Sequence, residues 1–83
     1  MEKSIYTREY AVVLRLLKEA RERVGLTQVQ LAKTLKQSQS FVSKIERGDR
    51  RIDILQLRTL CQIYGTTLSD FVNLLEKELG TQT

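Results

Sequence analysis

Between Ser38 and Arg51 the stretch SQSFVSKIERGDRR sets two kinds of residue side by side. Val42 and Ile45 are spaced three apart, as two residues on one buried side of a helix would be. Gln39, Ser40, Ser43 and Lys44 fall away from that side, and all can hydrogen-bond: an amide that donates and accepts, two short hydroxyls and a cation. Such a row suits directional recognition. On a helix lying in the major groove of DNA, the first turn and a half faces base edges. There Gln39 could hold adenine through N6 and N7, Lys44 could donate to guanine O6 or N7, and Ser40 could donate or accept. Ser43 could read a base or bond a phosphate. Phe41 has two readings as well, contact with a thymine methyl or packing across Ile45 four residues on.

The charge around this row fits a polyanionic partner. The chain carries 14 basic and 10 acidic residues, a net +4. The segment from Thr27 to Ile52 holds Lys33, Lys36, Lys44, Arg47, Arg50 and Arg51 against Glu46 and Asp49, so the whole excess is local to it. Clustered positive charge on a small domain suggests nucleic acid, less often an acidic membrane surface, and it also fits a merely solvated face. Arg47, Arg50, Arg51 and Lys36 are the candidates for phosphate contact, and affinity would come mainly from them. Glu46 is the misfit, because a carboxylate there would repel phosphate.

Other chemistries are excluded by composition. With no histidine, His-based metal sites and His-dependent triads have no ligand or base. Cys61 is the only cysteine, so no internal disulfide and no cysteine metal framework can form, which fits a reducing interior such as the cytoplasm. No cofactor, metal or small-molecule ligand is expected. The longest apolar run, AVVL, falls far below the roughly 20 residues of a membrane span, and no signal-peptide core follows the charged start. A soluble chain with no membrane partner is therefore expected. Eighty-three residues predict one domain over 1–83, with function on its surface, and fraying over 1–5 and 81–83.

Five short helices in an all-α bundle are predicted to position the row. Gly25, Gly48, Gly65 and Gly80 each follow a segment of helical apolar spacing and read as helix ends. The first helix spans Thr7 to Val24 with Tyr10, Val13, Leu14, Leu17, Ala20 and Val24 inward. Thr27 caps a second over Gln28 to Leu35, and Ser38 a third from Gln39 to Arg47. Leu31, Ala32, Leu35, Val42 and Ile45 form the seam between them. Asp53 caps a fourth over Ile54 to Tyr64, burying Ile54, Leu57, Leu60, Cys61 and Tyr64. Ser69 caps a fifth over Asp70 to Leu79, with Phe71, Val72, Leu75 and Leu79 inward. Leu74, Leu79 and Ile52 look surplus to a monomer core and are candidates for a dimer interface.

Two short helices joined by Lys36-Gln37 can cross steeply, leaving the second to enter a groove. The stretch LTQVQLAKTLKQSQSFVSKIERGDR resembles the helix-turn-helix of the Cro and lambda-repressor type regulators of bacteria and phages. It shares Leu26-Thr27-Gln28, Leu31-Ala32, Ser38 and Ile45-Glu46-Arg47-Gly48 with that pattern. LRTLCQIYGTTLSDFV resembles the family's fourth and fifth helices, so the likeness covers Leu17 to Leu75. The chain departs at the turn, where Lys36 stands for the usual glycine at a cost of about 1 kcal/mol if the backbone is left-handed there. Val29 departs too, standing where an acidic or polar residue is common; it is either simply exposed or touches a partner.

The resemblance implies a five-helix lambda-repressor-like domain, with helices two and three as the helix-turn-helix. It implies a transcriptional regulator that binds a palindromic operator in double-stranded DNA as a homodimer, in a bacterial or phage-encoded, cytoplasmic setting. Gln39, Ser40 and Lys44 match base-reading positions and Gln28 a phosphate-contacting one. Glu46 matches a residue paired with an arginine of the first helix, here Arg21, which resolves its misfit as a strut. With about five phosphates neutralised, log K would fall against log salt with slope about −4 to −5. Cro-type repressors, restriction-modification controllers and self-repressing antitoxins share this short form. A second reading makes the domain a protein-interaction or antitoxin module in which DNA is secondary. An enzyme is disfavoured, since hydroxyls and one thiol lack a histidine base and a lined pocket.

Overall fold

The computed structural model describes residues 7–80, and the expected fraying of 1–5 and 81–83 lies outside them. Five helices follow in order: α1 Arg8–Arg23, α2 Gln28–Leu35, α3 Gln39–Arg47, α4 Ile54–Ile63 and α5 Leu68–Gly80. Among the described residues there is no strand.

Local side-chain chemistry starts each helix. Thr7 and Ser38 accept from the backbone N–H three residues on, at 3.0 Å and 3.1 Å. Thr27 with Gln30, and Asp53 with Gln56, form reciprocal capping boxes that satisfy two orphan donors at once. The fifth cap departs from the sequence reading: the Thr67 hydroxyl accepts from Asp70 N at 3.0 Å, so Ser69 lies inside the helix and α5 begins at Leu68. The earlier start lets Leu68 pack against the core.

Four helix ends turn through left-handed backbone, at Gly25, Lys36, Gly48 and Gly65. At Gly48 (φ 84°) this costs nothing, and it turns the chain sharply after α3. Lys36 ends α2 at φ 58°, ψ 42°, the left-handed residue the turn needs, without glycine's freedom. Gly80 is the last residue of α5, not a residue beyond it.

The core gathers Leu16, Leu17 and Ala20 of α1, Leu31 and Ala32 of α2, Val42 and Ile45 of α3, Leu60, Cys61 and Tyr64 from α4 and its end, and Phe71 of α5. Helix α3 packs on α1 and α2, and α5 on α1 and α4. Three expected core residues are exposed outside it. Val24 lies past the last turn of α1 and is exposed, while Arg21 takes the inward place. Ile54, in the first turn of α4, is 64% exposed, and Val72 points outward beside the buried Phe71. Ile52, expected to be surplus, packs against the core because the loop before α4 folds back onto it. Leu16, absent from the expected stripe of α1, is buried.

Candidate nucleic-acid interface

Helix α3 divides as its sequence suggests. Val42 and Ile45 are buried, while Gln39, Ser40 and Lys44 are exposed and Ser43 is half-buried. The side chains of Ser40 and Lys44, and that of Lys36 in the turn, make no hydrogen bond or ion pair with any described residue.

Behind that face lies a buried ion pair. Arg21 Nε donates to Glu46 Oε2 at 2.6 Å and Nη2 to Oε1 at 3.1 Å, a two-pronged contact that fixes orientation as well as distance. The two side chains are only 9% and 8% exposed. Arg21 Nη1 donates to the Leu26 carbonyl at 2.7 Å, so the guanidinium also ties down the chain between α1 and α2. The hydrogen bond to Glu46 pushes the Arg21 pKa up against the opposing effect of burial, and the side chain is cationic at any working pH. Tyr64 lies beside the pair. Its phenol is pushed well above the usual tyrosine value, chiefly by burial and secondarily by the Glu46 carboxylate.

From Glu46 the contacts run outward to the exposed face of α3. Gln28 Nε2 donates to Glu46 Oε1 at 3.0 Å, and Gln39 Nε2 donates to Gln28 Oε1 at 3.3 Å. One amide N–H and the carbonyl oxygen of Gln39 remain unused by this bond. They are the donor and acceptor that a bidentate adenine contact requires. Gln28 itself is half-buried between the pair and Gln39. The sequence offered no signal for this bridge, since Gln28, Gln39 and Glu46 meet only once α2 and α3 have crossed.

The basic residues after α3 are held in different ways. Arg47 Nε and Nη2 both reach Asp49 Oδ2 at 3.0 Å, and Nη1 donates to Ser43 Oγ at 3.0 Å. The four-residue spacing of Ser43 and Arg47 on one helix was a readable hint of the second contact. Arg50 lies over the Phe41 ring, 4.7 Å from its centroid, and Arg51 is 5.6 Å from that of Tyr10. Phe41 is half-buried against the core and lines a groove with Leu35, Ile45 and Leu60. Its ring therefore supports Arg50 from below while helping to close the domain.

The expected dimer residues are scattered. Leu74 is 38% exposed, Leu79 is half-buried near Tyr10, Val13 and Leu75, and Ile52 belongs to the core edge. Among the described residues the most exposed large apolar side chains are Leu55 at 71%, which the sequence did not single out, and Ile54 at 64%, which was expected in the core. Val29 on α2 is 48% exposed. Among the described residues no cluster of His, Cys, Asp and Glu could hold a metal ion, and no helix is long and apolar enough to cross a membrane.

Comparison with protein families gives a match to the family described as Helix-turn-helix over residues 17–71, about two thirds of the chain. That range runs from the middle of α1 to the start of α5 and includes every side chain of the network above except Tyr10. No curated protein and no solved structure matches.

Proposed function

The chain belongs to the Cro and lambda-repressor type helix-turn-helix family and is a DNA-binding regulator, and from that premise we propose that it binds a palindromic or pseudopalindromic operator as a homodimer with α3 in the major groove. The observation that carries the reading is the exposed face of α3. Gln39 is oriented by Gln28 with a donor and an acceptor to spare, and Ser40 and Lys44 stand beside it without partners in the domain. These three read base edges, with Ser43 at the margin of the set. Lys36, Arg50 and Arg51 flank them and meet phosphates, joined by Gln28 at the positive N-terminal end of α2; Arg47 lies on the same side and reaches a phosphate only by exchanging its contact with Asp49.

One reading helix covers only a few base pairs, so specificity requires two copies about 34 Å apart on a twofold axis. Leu74 and the half-buried Leu79, both on α5, remain available for that contact, and the exposure of Ile54, Leu55 and Val72 adds to the apolar surface it could draw on. Selection of random duplex DNA against the purified protein tests the whole reading. A palindromic consensus that is lost with Gln39→Ala is the expected result. Salt-sensitive binding with no enriched sequence would overturn it and favour a protein partner for the exposed Val29 and Leu74.

A further inference from the structure

Arg47 is the first of the three arginines after the reading row, yet it is already occupied. Each of its three nitrogens makes a contact inside the domain, two with the Asp49 carboxylate and one with the Ser43 hydroxyl. A carboxylate that takes Nε and Nη2 together stands where a phosphate oxygen would have to approach the same edge of the guanidinium. Gly48 makes this possible: its left-handed turn carries Asp49 back beside α3, and Asp49 N bonds the Lys44 carbonyl at 2.8 Å. Both side chains are largely exposed, at 59% for Arg47 and 42% for Asp49.

We propose that Asp49 is an internal phosphate mimic that holds Arg47 away from DNA and so attenuates affinity without touching the base-reading row. The proposal rests on the DNA-binding reading and adds a residue that sets its strength. Chemically the contact is a competition. In the free domain Asp49 satisfies Arg47; at the DNA surface a phosphate must displace it, and the displaced carboxylate is then left near other phosphates. Both effects weaken binding, and neither depends on the base sequence. The Ser43 hydroxyl is drawn in as well. Its oxygen accepts from Arg47, which leaves the O–H and one lone pair to offer toward DNA.

Asp49→Asn keeps the shape and removes the charge. The test compares wild type, Asp49→Asn, Arg47→Met and the double variant in titrations against one duplex over a range of salt, with thermal melts as a check on folding. An exposed ion pair of this kind competes weakly, so Asp49→Asn should tighten binding about two- to fivefold. With one more phosphate neutralised, the slope of log K against log salt should steepen by about 0.9. In the Arg47→Met background the steepening should vanish, because no guanidinium is left to release. Unchanged or weaker binding by Asp49→Asn, or the same steepening without Arg47, overturns the proposal. Absence of salt-dependent duplex binding by the wild type would overturn the DNA reading itself, and the proposal with it.

Discussion

Replacing Glu46 with alanine would strand the Arg21 guanidinium inside the domain. Arg21 keeps its bond to the Leu26 carbonyl but loses both carboxylate contacts, and at 9% exposure its side chain has little access to replacement water. Breaking a buried pair in this way costs about 3–5 kcal/mol. A domain of this length has a total stability of about 4–12 kcal/mol, so the loss is a large fraction of what holds it folded. At about 4–8 °C per kcal/mol the melting temperature should fall by at least about 12 °C. Glu46→Gln, which keeps an acceptor for Arg21, should lose only about 1–2 kcal/mol. Combining Arg21→Met with Glu46→Leu removes both charges, and stability should return most of the way to wild type. The assay is urea denaturation followed by circular dichroism, repeated in about 1 M salt, where the Debye length shrinks to about 3 Å and exposed pairs are screened but this one is not. A loss below about 1 kcal/mol for Glu46→Ala, or a double variant no better than the single, would refute the idea of a stranded charge.

Lys36→Gly relieves a left-handed non-glycine residue and should stabilise the domain by up to about 1 kcal/mol in the same assay, less what the freer unfolded chain gives back. If Lys36 also meets a phosphate, the same variant should bind duplex DNA more weakly, so stability and affinity should move in opposite directions. Tyr64 supplies a pH test. Its folded pKa lies above the ordinary 10.0, so its contribution is complete below about pH 10 and is lost as pH rises from there towards the folded value, at about 1.4 kcal/mol per pH unit. Tyr64→Phe should lose less stability than wild type above that pH; parallel curves would show that this phenol is not the group responsible. For the dimer, Leu74→Glu should shift sedimentation equilibrium toward monomer while the far-ultraviolet spectrum stays helical. If Leu74→Glu leaves the equilibrium unmoved and Leu55→Glu shifts it, the interface lies at the start of α4.

What could be read from the sequence was mostly what is local. Thr27, Ser38 and Asp53 cap helices through bonds to a residue three positions on, and the seam of Leu31, Ala32, Val42 and Ile45 repeats at helical spacing. Both signals live within one or two turns of chain. Thr67 was missed because Ser69 is an equally good cap by type, and the choice between them was made by Leu68, which packs on the core only if the helix starts early. Ile54 and Ile52 exchanged roles for a related reason. Periodicity treats the first turn of α4 as if it faced the core, but Ile54 is exposed there and Ile52, in the loop before it, packs against the core.

Polar contacts between helices were legible only where a residue looked out of place. Glu46 stands out because a carboxylate does not belong on a basic face, but it is the resemblance to the Cro and lambda-repressor type regulators that names Arg21 as its partner. Gln28 and Gln39 raise no such alarm, since a glutamine is at home on any exposed helix, yet their amides carry the connection from the buried pair to the exposed face of α3. That chain of contacts couples two properties usually considered separately. Arg21 belongs to α1, Gln28 to α2, and Glu46 and Gln39 to α3, so one run of hydrogen bonds fixes the relative placement of all three helices and ends on a residue proposed to read a base. A buried ion pair is weak evidence of stability in itself, because well-packed apolar residues can replace it at little cost. They could not hand an oriented amide to the surface. Retaining charge at positions 21 and 46 is therefore better explained by where it puts Gln39 than by how firmly it holds the core.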